Sequence, residues 1–317
     1  MVNNALNTND GDVNNGVAQI AITTHGSDFY FAVCAVMTVS TFAFLALGQM
    51  KPRAERIFYY ITASVTMVAA IAYFTMGSHL GFTPIDVEYQ RSNSRVAGVN
   101  REIYYARYID WVITTPLLLI DLMLTAAMPW PSILFVILVD EVMIITGLIG
   151  ALVASSYKWG YFVFGCVALV YIVYVLVWEA RKHANGVSSD AGKTFLYCGS
   201  LTAFLWILYP VAWGVSEGGN IIAPDSEAVF YGILDLLAKP LFGALLIWGH
   251  RNISPAQLGL TIHDYGGEDP VIHEKNTGIS HGHTGHPGDN PANVGVMNGT
   301  HGTTTANGNT TYATNTV

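Results

Sequence analysis

The run from Ile233 to Trp248, ILDLLAKPLFGALLIW, sets one carboxylate and one amine in a stretch otherwise apolar enough to cross a bilayer. Ionisable groups at that depth are costly to bury and mark working sites. On a helix Asp235 and Lys239 stand at i and i+4, on one face and about 6 Å apart along the axis. They can therefore be a counterion and its cation. A buried lysine that loses its proton is a nucleophile for aldehydes, and the imine formed can be re-protonated when a carboxylate stands beside it. The plainer alternative is a structural ion pair between helices.

A second stretch, REIYYARYIDWVITTPLLLIDLML, also carries charge into an apolar run, with Arg107, Asp110 and Asp121. Asp110 and Asp121 are three helical turns apart, so both project from one face with about 16 Å between them. Arg107 and Thr114 share that face at i−3 and i+4. The pattern is a column of proton-binding groups at different depths, or else a column of interhelical hydrogen bonds without traffic. Pro116 removes one backbone hydrogen bond mid-helix. A third stretch, WILYPVAW, lines one helical face with Trp206, Tyr209 and Trp213, with Pro210 beside them. An aromatic stripe is more often packing or an interfacial belt, but with Trp111 this one could wall a long conjugated ligand joined to Lys239.

Composition says what must position these residues. The 317-residue chain is 52% hydrophobic and 11% charged, with a mean hydropathy of +0.40. That balance fits a multispanning membrane protein and makes nucleic acid a poor partner. The net charge of −8 is spread along the chain rather than gathered in a patch. Cys34, Cys166 and Cys198 lie in apolar runs as small core residues, and no disulfide framework is implied. Apolar runs at Phe29–Met50, Ile57–Phe82, Ile103–Met128, Ser132–Ser155, Trp159–Trp178, Thr194–Ser216 and Ala228–Trp248 predict seven transmembrane helices, an all-α bundle.

Lys51, Arg53, Arg56, Arg181, Lys182, Lys193 and Arg251 fall on one side of such a bundle, and Arg91, Arg95, Arg101 and Lys158 on the other. The excess places the C-terminus in the cytoplasm and the N-terminus outside. Residues 1–27 then form a polar extracellular tail, 28–251 the bundle, and 252–317 a disordered cytoplasmic tail rich in Gly, Thr, Asn and His. On that side the sequons at Asn298 and Asn309 are silent, and His281, His283 and His286 read as solvated tail rather than a metal site. The long connection between the second and third spans predicts a folded cap or a hairpin. His79, near the outer end of the second span, reads as an interfacial residue rather than a counterion partner.

RYIDWVITTPLLLID, WILYPVAW, SEGGNIIAPDSE and LDLLAKPLFGALL together resemble the microbial (type 1) rhodopsins, above all the fungal proton-pumping opsins of the bacteriorhodopsin type. The resemblance covers roughly Phe29 to Trp248. It implies a seven-helix bundle in a membrane, most readily the plasma membrane, holding all-trans retinal as a protonated Schiff base on Lys239. The implied activity is light-driven outward proton transport rather than enzyme catalysis. Asp110 is then similar to the primary proton acceptor, Asp235 to the second counterion, Arg107 to the switchable cation and Asp121 to the cytoplasmic donor. Neutralising Asp110 would free Arg107 to swing outward. Glu217 and Glu227, in the connection between spans six and seven, match the proton-release pair.

Trp111, Thr115, Met143, Gly147, Trp206, Tyr209 and Trp213 match the retinal pocket, Leu118 a colour-associated position, and Asp140 a fourth-helix aspartate near the ring. Phe162 and Gly165 depart from the archaeal tryptophan and serine, and Glu141 stands where a small or apolar residue is expected. Ser64 and Thr66 are the two candidates for the hydroxyl partner of Asp121. A sensory rhodopsin with a slow photocycle would keep Lys239 but need not keep Asp121. A chloride pump would need a neutral residue in place of Asp110. The resemblance leaves a homo-oligomer open.

Overall fold

The computed structural model describes residues 3–14, 16–87, 98–260 and 262. Among them are seven helices long and apolar enough to cross a bilayer: Thr24–Gln49, Ile57–Gly77, Tyr105–Thr125, Trp130–Leu152, Lys158–Val187, Ser189–Gly218 and Pro224–Asn252. Each has 21 to 30 residues, enough at 1.5 Å per residue for the roughly 30 Å of hydrocarbon. Large apolar side chains such as Phe42, Ile71, Leu134, Phe164 and Val170 stay exposed on the outer faces, where lipid chains replace water as their solvent.

Several helices run past the limits that hydropathy sets. The first begins at Thr24, with Thr23 capping it by accepting from the His25 amide at 3.2 Å. The sixth begins at Ser189, where Ser188 caps the Ala191 amide at 3.1 Å. Apolar composition marks only the part of a helix at lipid depth, whereas the backbone keeps its ladder until a cap satisfies the free amides. Three of the spans contain a wide π turn, at Val175–Ala180, Gly214–Gly218 and Leu237–Leu241. Such turns recur at functional positions. The last of them carries Lys239 and Pro240, and proline cannot donate to the carbonyl four residues earlier. The assigned end of the bundle also moves: Ile253 and Leu258 are buried in the main core, so the packed region continues past residue 252. The rest of the C-terminal stretch, with both sequons and the three histidines, lies outside the described residues.

The second-to-third connection is a hairpin. Strands β1 (Thr83–Asp86) and β2 (Asn100–Ile103) pair antiparallel with Thr83 opposite Ile103 and Ile85 opposite Arg101. Its distal part, residues 88–97, is not described. The N-terminal segment lies along this hairpin rather than projecting as a simple tail. The Ile20 amide donates to the Asn100 carbonyl and the Glu102 amide to the Ile20 carbonyl, both at 3.0 Å, and Thr23 donates twice to the Asp225 carboxylate at the start of the seventh span.

The turn into the hairpin has two residues at positive φ, His79 at 58° and Gly81 at 73°. A side chain at Gly81 would put its Cβ 2.7 Å from that of Ala106. His79 is not the interfacial residue expected. Its Nε2 lies 2.6 Å from Glu102 Oε1, its Nδ1 2.9 Å from the Asn9 carbonyl, and its ring stacks on Phe82. Both nitrogens face acceptors, the arrangement of an imidazolium. Burial lowers its affinity for a proton, but the hydrogen bond and charge of Glu102, aided by the Asn9 carbonyl, outweigh this and hold it above the ordinary histidine value.

A group raised on folding stabilises the fold fully below its unfolded value, about 6.5 for histidine, and loses that contribution as pH rises through the folded value. Amide-exchange protection of the 3–14 segment is therefore expected to be highest at mildly acid pH and to fall as pH is raised. In His79→Asn, where the new residue tolerates positive φ, the pH dependence should vanish. An unaltered profile in the variant would show that the His79–Glu102 pair does not anchor the segment.

Candidate functional site

At the centre of the bundle Lys239 Nζ donates to Asp110 Oδ2 and, at 3.2 Å, to Asp235 Oδ2. All three side chains are buried. The π turn of the seventh span sets Lys239 one turn from Asp235, and the third span brings Asp110 across. The two carboxylates are unequally held. Asp235 Oδ2 also accepts from Tyr73 at 2.8 Å, and Oδ1 from Tyr209 at 2.5 Å. Among the described residues, the Asp110 carboxylate accepts from the lysine, and its Oδ1 is buried without a hydrogen-bond partner. Thr114 donates to the Asp110 backbone carbonyl at 2.9 Å.

Lys239 ends a cavity of about 740 Å³ with predominantly apolar walls. Trp111, Thr115 and Leu118 line it from the third span, Met143 and Gly147 from the fourth, and Trp206, Tyr209, Pro210 and Trp213 from the sixth. The sequence picked out all of these. Asp140 is not in the wall; it stands one layer behind, accepting from Thr115 at 2.7 Å. Phe162 and Gly165 complete the cavity, Phe162 stacking on Trp213 with centroids 4.9 Å apart. Trp213 Nε1 donates to the Gly147 carbonyl at 3.3 Å, and Trp111 stands edge-on to Tyr209.

Toward the end of the bundle away from the hairpin lies Asp121, fully buried. Its hydroxyl partner is neither Ser64 nor Thr66 but Thr62, which donates to Oδ2 at 3.1 Å. Ser64 turns to the Tyr60 carbonyl, and Thr66 accepts from Thr41. Thr62 and Tyr73 have the same three-turn spacing as Asp110 and Asp121, but only Thr62 bonds the third span, Tyr73 donating to Asp235 of the seventh. Beyond Asp121, Thr125 donates to the Asp121 carbonyl at 2.7 Å and lies 3.2 Å from His250 Nε2.

The hairpin end holds the second charged cluster. Glu217 and Glu227 lie not in a loop but in the last turn of the sixth helix and the first of the seventh. Arg107 already reaches them: its Nη1 is 2.7 Å from Glu227 Oε1 and 3.1 Å from Glu217 Oε1, and Nη2 donates to Tyr30 at 2.9 Å. The outward position expected only after a swing is therefore the position in this structure. Arg107 also lies over the Tyr231 ring, 4.1 Å from its centroid. A further cation, Arg101 on β2, donates to Glu227 Oε2 at 2.7 Å. Sequence reasoning missed it, because a hairpin pairing had to be known before a loop arginine could be aimed at the seventh span.

Residues 25–253 match the family model described as bacteriorhodopsin-like protein. The opsin-like protein carO of Fusarium fujikuroi is 73% identical over 262 residues, covering 83% of this chain and 85% of that one. Two solved structures, each 34% identical, superpose on the bundle. The light-driven proton pump LR (Mac) from Leptosphaeria maculans has a TM-score of 0.70 over 75% of this chain and 99% of its own. The light-driven proton pump Coccomyxa subellipsoidea rhodopsin has 0.69 over 74% and 100%. Four motifs in order, seven spans and these likenesses agree: the chain is a multi-pass membrane protein that belongs to the bacteriorhodopsin-like family of microbial rhodopsins.

Proposed function

We propose that this protein is a light-driven pump that moves protons outward, toward the hairpin side, with retinal attached to Lys239. The observation that carries the reading is the inequality of Asp110 and Asp235 around one buried amine, with a third carboxyl, Asp121, on the opposite side. The cavity fits the group: its walls are aromatic and apolar, and the Lys239 amine stands at its end. Retinal, when bound, supplies absorption of visible light and an isomerisation that displaces the proton-bearing nitrogen of Lys239.

The residues give that displacement a direction. Asp235 already accepts from Tyr73, Tyr209 and Lys239, so a proton arriving there would displace one of three donors. Asp110, with an unpartnered oxygen, is the acceptor of the proton from Lys239. Among the described residues, Asp121 has one neutral donor and no cation in contact. A lone buried charge is costly, so this carboxyl is suited to hold a proton and return it to Lys239 from the inner side. Arg107, Glu217 and Glu227 pass charge to the outside. The excess of basic residues on one side supports a cytoplasmic C-terminus and an outer N-terminal segment, and we place the bundle in the plasma membrane.

Cells expressing the chain with all-trans retinal, illuminated in unbuffered medium, should acidify the medium, and a protonophore should abolish the signal. No net acidification with an intact visible band would leave the slow-cycling photosensor as the better reading. Lys239→Ala should give folded but colourless protein, measured by absorption of the purified sample; a retained visible band would remove Lys239 as the attachment point. Asp110→Asn should red-shift the band and stop acidification, because it removes the counterion charge; an unchanged spectrum would leave Asp235 as the sole counterion.

Asp121→Asn should leave colour and the first proton transfer nearly intact, since both depend on groups about 16 Å along the helix. Recovery of the resting colour after a flash should instead become proportional to proton concentration, slowing about tenfold per pH unit as the proton must come from bulk water. In the parent protein the same recovery should depend weakly on pH. Equal recovery rates and pH profiles would make Asp121 a structural carboxyl.

A further inference from the structure

Glu217 and Glu227 share Arg107 but differ in everything else that touches them. Glu227 is held at both oxygens by guanidinium groups, Arg107 Nη1 at 2.7 Å and Arg101 Nη2 at 2.7 Å. Glu217 has a longer 3.1 Å contact to the same Arg107 nitrogen, the Tyr108 hydroxyl at 3.2 Å on Oε1, and the Tyr231 hydroxyl at 3.1 Å on Oε2. Lys158, from the fifth span, donates to the Glu217 backbone carbonyl at 2.7 Å. Charge-assisted bonds of this length are about twice as strong as neutral ones, so a proton on Glu227 would disrupt two strong contacts and a proton on Glu217 only weak ones.

Arg101 is built into place. It is 2% exposed, lies opposite Ile85 in the hairpin, and bridges to Ile20 of the N-terminal segment on its other side. Its second nitrogen, Nη1, grips the connection between the sixth and seventh spans through Asn220 Oδ1 and the Ile222 carbonyl. The fork therefore ties hairpin, connection and seventh helix together around Glu227. Beside it a small pocket lined by Glu217, Lys158, Arg101, Asn220 and Asp86, with Ile85, Val87 and Ile103, brings Glu217 next to the hairpin.

We propose that Arg101 is a positioning residue that clamps Glu227 as a permanent anion, so that Glu217 alone carries the proton released to the outer side. The proposal rests on the pump reading above. At rest Arg101 and Arg107 face one anion, Glu227, and a neutral Glu217. When Asp110 takes up a proton, one negative charge on the inner side of Arg107 disappears, and the field of Arg107 at Glu217, shared with the fixed Glu227, grows stronger. The Glu217 carboxyl loses its proton into this pocket and becomes the second carboxylate, giving two arginines against two glutamates. The groups facing Glu217 are Arg107 and Tyr108 from the third span, Lys158 from the fifth, Glu227 and Tyr231 from the seventh, and Arg101 and Asp86 from the hairpin.

The test uses the full-length pigment in lipid, with infrared spectra of the dark state and a pH-indicator dye after a flash. The parent should show one protonated carboxyl band from this cluster, removed by Glu217→Gln and kept in Glu227→Gln. In Arg101→Gln the proton should spread over both glutamates, so that each single glutamine replacement now removes only part of the band. The pH at which early release sets in should rise by about one unit or more, the effect of losing a contacting opposite charge, and Arg101→Lys should restore most of it. A parent band removed equally by either glutamate replacement, or a release profile that Arg101→Gln and Arg101→Lys both leave unmoved, would overturn the proposal. The dark-state infrared assignment stands apart from transport: it identifies the proton-bearing glutamate even if the medium fails to acidify, which would count against the pump reading only. If Arg101→Gln does not fold, the parent band and Arg101→Lys still decide.

Discussion

A cation at the middle of a membrane bundle must bring its counter-charges with it, and most of this structure follows from how Lys239 is accompanied. Two unit charges in contact attract far more strongly in a low-dielectric interior than in water, but each is expensive to desolvate. The compromise is a closed cluster: one amine, two carboxylates, and two tyrosines that satisfy the remaining lone pairs of one of them. The second, third, sixth and seventh spans each supply a member, so the cluster also fixes how those helices are rotated about their axes. Removing one partner of such a buried set typically costs about 3–5 kcal/mol. The sequence therefore has little freedom at Tyr73, Asp110, Tyr209, Asp235 and Lys239 together.

The same constraint recurs at the hairpin end with a second cation added. There two arginines meet two glutamates, and tyrosines from the first, third and seventh spans fill the remaining valences. The cap supplies the cation that the bundle lacks. The N-terminal segment pins β2, β2 presents Arg101, and Arg101 reaches the seventh helix. The extramembrane segments are thus part of the charge balance of the interior, and the His79–Glu102 pair that fastens residue Asn9 to the hairpin acts on the same assembly from its outer edge.

Some of this was legible in the sequence, because spacing within one element determines which residues share a face. The i, i+4 relation of Asp235 and Lys239, the three-turn relation of Asp110 and Asp121, and the aromatic face of the sixth span all stand as read. What spacing cannot give is the rotation and depth of one element against another. Ser64, Thr66 and Thr62 lie within one turn or so of each other on the second span, and only the packing of that span on the third selects Thr62. Arg101 depended on strand pairing between segments far apart in the chain, and His79 on a positive-φ turn that brought the N-terminal segment over it. The helix ends slipped for a different reason, since hydropathy senses lipid depth and caps sense backbone amides.

The three aspartates of the interior have identical chemistry and are distinguished only by their donors. Asp235 has an ammonium and two hydroxyls and is saturated. Asp110 has the ammonium and an idle oxygen. Asp121 has one hydroxyl, with its other oxygen buried and idle. A proton arriving at each would displace progressively fewer donors in that order, and charge-assisted donors are the stronger ones. On the pump reading this gradient is the mechanism. A proton displaced from Lys239 finds the saturated carboxylate closed and the half-satisfied one open, and it is replaced from the carboxyl with the fewest donors. Direction then needs no moving wall or valve beyond the reorientation at Lys239, only unequal hydrogen bonding on its two sides.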